Sequence, residues 1–194
     1  MLYSLSITSL VIFFGMFLLA ALAKPLILTL LTDKWADSVI YLQVFCFAYM
    51  FDHICSLNLN ILYVKGYSNL VLRLEVIKKC ISISMIIAAI PLGVLAICIA
   101  RALYAQIALI VNTYYTGKLF NMGYFAQLRD FFKYLICSLL AVIPAYLLTL
   151  TAMPYWSILV TGGVIASFLY YLLLRKDVYF RELISLAMNR VLKK

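Results

Sequence analysis

The stretch from Ser38 to Lys79 constrains the fold more than any other: SVIYLQVFCFAYMFDHICSLNLNILYV, a KGYSN turn, then LVLRLEVIKK. At ~1.5 Å of rise per residue the run from Ile40 to Tyr63 reaches ~36 Å as a helix, enough to cross a hydrocarbon core of ~30 Å with some tilt. The apolar sequence breaks at Lys65-Gly66 and resumes through a helical stretch carrying Arg73, Lys78 and Lys79. This predicts a membrane hairpin with Asp52 and His53 near the bilayer midplane. An ionisable group at that depth costs at least ~2.5–3.5 kcal/mol on insertion scales, so it faces a protein interior or a watery cavity.

The rest of the chain is compatible with no other class. With 67% hydrophobic and 12% charged residues and a mean hydropathy of +1.09, a soluble domain would lack the polar surface to cover its core. The net charge of +9, which in a soluble protein would suggest nucleic acid, follows instead from basic residues gathered in loops on one side. No nucleic-acid partner is expected.

Taken in order, Leu2 to Ala23 is a first span rather than a cleaved signal, because it lacks a basic leader, exceeds the usual apolar length and is followed by further spans. KPLILTLLTDKWADS reads as a connection with an interfacial apolar part anchored by Trp35. The hairpin supplies the second span and, from Leu74 to Pro91, the third. Pro91-Leu-Gly93 turns into a fourth from Val94 to Thr116. Residues 117–130 are the most polar internal stretch, a fifth span runs from about Phe131 to Thr151, and a sixth from Ser157 to Leu174. The expectation is therefore an all-α bundle of six transmembrane helices over residues 1–176, followed by a cytoplasmic amphipathic tail over residues 177–194. In that tail Phe180, Leu183, Ile184, Ala187, Met188 and Val191 oppose Arg181, Glu182, Ser185 and Asn189.

On this scheme thirteen basic residues fall on one side, in the 65–79 loop, the 117–133 loop and the tail, against Lys24 and Lys34 opposite. The positive-inside rule then places both termini in the cytoplasm. No Gly-rich phosphate loop, nucleophile elbow or His-Glu-x-x-His occurs, so neither an enzyme nor a cofactor or metal site is expected. Cys46, Cys55, Cys80, Cys98 and Cys137 lie within spans without a Cys-x-x-Cys pair and read as small hydrophobes. Gly162-Gly163 reads as close helix packing.

Polar residues inside the spans are the candidate site. Asp52 either lines a cavity or hydrogen-bonds two helices together. His53 points ~100° away from it and is either functional or a core histidine bonded to a backbone carbonyl. Asn58 and Asn60 are further candidates near the cytoplasmic end, with local hydrogen bonding as the alternative. Arg101 lies two turns into the fourth span, where its head either snorkels outward or turns inward. Ideal helix rises put Asp52 and Arg101 ~7 Å apart in height, within an arginine's reach if their helices adjoin.

The first span ending in Lys24-Pro25, the connection reaching Lys34-Trp35, the long span with Asn60, and Gly66-Tyr67-Ser68 leading to Leu72-Arg73-Leu74-Glu75 and Lys78-Lys79 together resemble the C-terminal half of bacterial polysaccharide flippases. These are the O-antigen and capsule repeat-unit exporters of the multidrug/oligosaccharidyl-lipid/polysaccharide superfamily. The chain departs from them in having Gly66-Tyr67-Ser68 where Gly-Arg-Ser is common, and Thr32-Asp33 where a glycine often precedes the Lys-Trp. The resemblance covers one six-helix lobe of a two-lobed transporter. It implies a bacterial inner-membrane protein that flips an undecaprenyl-pyrophosphate-linked oligosaccharide in contact with membrane lipid, with a second lobe from elsewhere or from another copy. Asp52, His53, Arg101, Asn58 and Asn60 would face the transport cavity. The rival reading is an accessory or structural subunit in which the same residues only lock packing.

Overall fold

A computed structural model describes residues 2–120, 123–151 and 153–192, for residues 2 and 186–192 the backbone alone. Among the described residues the chain is helical and has no strand: α1 (Leu2–Ala21), α2 (Ala23–Leu30), α3 (Ser38–Tyr49), α4 (Asp52–Val64), α5 (Ser68–Ala89), α6 (Val94–Phe120), α7 (Tyr124–Leu148), α8 (Tyr155–Leu174) and α9 (Val178–Leu192). Five stretches among the described residues are long and apolar enough to cross a membrane: Tyr3–Ala21, Ser38–Val64, Val94–Phe120, Tyr124–Leu148 and Tyr155–Leu174. Helix α5, the expected third span, is of similar length but carries Arg73, Glu75, Lys78 and Lys79 and does not join that group.

The helices gather into two compact units, residues 37–129 and residues 2–36 with 130–194. In the first, α6 packs against α3, α4 and α5. Its buried residues Cys98, Ala102, Ala105, Leu109, Asn112 and Thr116 recur at three- and four-residue steps, so one face is mostly small and lets the neighbouring backbones approach closely. In the second unit, α2 and α9 pack against α8 and α1 respectively. Ala21, Leu22, Val142, Ala145, Ile158 and Ala166 form its core. The expectation for Gly162 holds: a Cβ there would lie 3.1 Å from Leu22 and 3.5 Å from Ala145, whereas Gly163 faces open space.

Two expected connections turn out to be helical. The apolar part of the first folds as α2, with Ala23, Pro25 and Ile27 buried. Residues 117–130, expected as a polar loop, are mostly the end of α6 and the start of α7; Gln127 is buried and hydrogen-bonded there, while Lys118 and Arg129 are exposed. Asn121 lies outside the described residues. In the turn after α2, Thr32 has φ 86° and ψ 167°, a region essentially reserved for glycine and costing other residues ~1–3 kcal/mol. Gly93, at φ 93°, turns the chain into α6 with the freedom Thr32 lacks.

The second span is broken at Met50-Phe51, without proline or glycine. In an unbroken helix the Met50 carbonyl would accept from the Ile54 N–H. Here Ile54 N–H donates instead to the Phe51 carbonyl at 3.1 Å, a tighter turn than the α-helical one, and the His53 ring lies beside the Met50 carbonyl.

Candidate functional site

Immediately after this break, Asp52 opens α4 in the middle of the Ser38–Val64 span. Its carboxylate accepts a hydrogen bond from Arg101 Nη2 at 3.0 Å. The arginine therefore turns inward, settling the choice that its position in α6 left open. Its guanidinium carbon lies 4.6 Å from the Tyr49 ring centroid and 5.3 Å from that of Tyr104. Both distances are within the range of cation–π attraction. The aromatic faces and the carboxylate hold the cation where hydrocarbon alone would not. Nη1 is buried and reaches no hydrogen-bond acceptor, so one donor of the guanidinium is uncommitted.

Burial is unequal across the pair: the Arg101 side chain is 21% exposed and that of Asp52 42%. The carboxylate thus has an open side at mid-span.

Lys78, counted from sequence among the loop cations, belongs to this centre instead. It is buried at 5% exposure on α5, ion-paired with Glu75 one turn earlier and close enough for its charge to act on Asp52. Its long side chain reaches a carboxylate inside the helix cluster, so it does not contribute to the loop asymmetry. Two carboxylates and two cations from α4, α5 and α6 therefore balance within one region. Cys55, one turn beyond Asp52, lies beside Asn112. Asn112 is fully buried, and neither of its amide atoms reaches a hydrogen-bond partner.

The remaining sequence candidates separate. His53 lies beside the Met50 carbonyl. Asn60 is exposed. Asn58 is fully buried and donates to Ile54 O at 2.8 Å and Gln127 Oε1 at 2.9 Å. Its own oxygen accepts from Gln127 Nε2 at 2.8 Å and Thr116 Oγ1 at 2.7 Å. This reciprocal amide pair joins α4, α6 and the first turn of α7. Sequence reasoning missed Gln127 and Thr116; the available signal was a glutamine and a threonine flanking a polar stretch with strong helical neighbours. Nearby, Tyr114, Lys118 and Tyr124 line an open cleft of about 610 Å³.

The described residues are all-helical, with five helices long and apolar enough to cross a membrane, as in a polytopic membrane protein, and with a charge-balanced polar centre among them. No family model, curated protein or solved structure matches the chain.

Proposed function

We propose that this chain is one lobe of a bacterial inner-membrane transporter that flips a lipid-linked oligosaccharide, with Asp52 and Arg101 lining its path. One observation carries the reading: an ion pair in the middle of a span whose carboxylate is 42% exposed. A charged group open at that depth is unstable against lipid, so water or a second protein element must cover it. A polar headgroup crossing hydrocarbon needs such a route, and a guanidinium there is a strong partner for pyrophosphate oxygens. The broken helix fits as well, because irregular backbone at membrane depth is tolerated where it lines a cavity. In this reading α5 is a sixth crossing, α9 lies along the membrane surface and both termini are cytoplasmic. The undecaprenyl-pyrophosphate class of substrate rests on the sequence resemblance.

The alternative, a structural subunit without transport, is favoured by the buried Asn58–Gln127 pair, which spends its hydrogen bonds on packing. Asp52→Asn and Arg101→Gln separate the two readings. In a transport path each abolishes repeat-unit export while membrane abundance and melting temperature stay near wild type. In a purely structural pair each single change leaves a charge uncompensated, at a typical cost of ~3–5 kcal/mol. Abundance then falls, and the double variant recovers it. Full export by both stable singles removes these residues from any mechanism.

A further inference from the structure

Where α8 ends and α9 begins, a cleft of about 240 Å³ opens among Tyr171, Arg175, Phe180, Arg181, Ile184 and Ser185. Its lining divides by chemistry. Tyr171, Phe180 and Ile184 give an apolar floor, with the first two rings 5.9 Å apart. Two arginines give charge. Arg181 Nε donates to the Arg175 carbonyl at 2.9 Å, which anchors the guanidinium at the helix junction and leaves its terminal nitrogens for another acceptor. Among the described residues neither arginine makes an ion pair.

The neighbouring carboxylates are engaged elsewhere. Asp177 accepts from the Tyr179 and Phe180 N–H groups at 3.0 and 3.3 Å and pairs with Lys133. Glu182 lies beside the Tyr3 hydroxyl. Ser185 donates to the Glu182 carbonyl at 2.8 Å, so it borders the cleft without offering it a proton. The end of α8 contributes roughly half a negative charge, which two guanidinium charges outweigh.

We propose that this cleft binds the phosphate of an anionic phospholipid, with Arg175 and Arg181 on its oxygens and an acyl chain running down α8. The cleft sits at the C-terminal end of a helix long and apolar enough to cross a membrane, and basic pockets at such ends recruit anionic lipids. Guanidinium groups match phosphate bidentately. From Tyr171 the apolar floor continues through Phe168 and Val164, which follow at helical spacing on the same face and are 60% and 63% exposed. Free phosphate would use the arginines and leave this stripe idle. Phosphatidylcholine would bring its own cation against two guanidinium charges.

The test is native mass spectrometry of the full chain released from nanodiscs containing equal phosphatidylglycerol and phosphatidylcholine. Phosphatidylglycerol is retained at least tenfold over phosphatidylcholine, millimolar inorganic phosphate does not displace it, and R175Q/R181Q lowers retention to the phosphatidylcholine level. K176Q, which removes the adjacent exposed charge outside the cleft, retains it. Equal retention of the two lipids, or undiminished retention by the double variant, overturns the proposal. Displacement by inorganic phosphate overturns it too, in favour of a soluble-anion site. Should the double variant misfold, the wild-type preference and the displacement measurement decide.

Discussion

Asn58 and Gln127 satisfy each other's amides across 69 residues of chain. Asn58 also bonds Ile54 O and Thr116, and Gln127 Nε2 lies 3.4 Å from Thr116 Oγ1. Truncating either amide strands buried groups of the other, each group costing ~1–3 kcal/mol. Asn58→Ala and Gln127→Ala are each expected to lower stability by that order. The double variant should cost ~1 kcal/mol less than the sum of the singles, in keeping with side-chain hydrogen bonds in membranes. Reversible unfolding in micelles measures this, and additive losses would show that the two amides are not coupled. Thr32 is the opposite case, a residue whose backbone conformation works against the fold.

At the scale of elements, α5 decides the topology. Its 22 residues span ~33 Å, and its charges lie between Arg73 and Lys79, where Lys78 is neutralised by Glu75 and buried against neighbouring helices. The exposed Arg73 has a long side chain able to reach toward the interface, whereas the exposed Lys79 lies at the helix midpoint. If α5 crosses, single cysteines at Asn69 and Leu92, introduced with the exposed Cys80 replaced by serine, are labelled by a membrane-impermeant maleimide from opposite sides. Labelling of both from one side reduces the count to five crossings and puts the termini on opposite faces.

At the scale of the whole molecule, each compact unit has its own core: apolar in residues 2–36 with 130–194, and in residues 37–129 an apolar cluster around Leu62, Val71 and Leu74 beside the polar centre. A rocking transporter needs two lobes bearing on a shared cavity. On the proposed function, the chain expressed alone in a flippase-null strain and shown to be monomeric does not restore export. Export by that monomer would contradict the one-lobe reading; export by a homodimer would leave it standing.

Much of this was legible in the amino-acid order. The helical membrane class follows from run length and composition, which add up locally along the chain. The turn at Gly93 follows from its backbone freedom, and the reach from Asp52 to Arg101 from helix rise. Rotation of each helix about its axis was not legible, because a span apolar all round has no moment to orient it. Only the tertiary structure decided that Lys78 turns inward, that Gln127 leaves an expected loop for a buried pair, and that the span breaks at Met50-Phe51. Each of these depends on a partner presented by folded geometry, through a neighbouring helix or a locally altered backbone. A buried polar group is stable only where that partner meets it, and hydropathy along one strand of sequence does not encode the meeting.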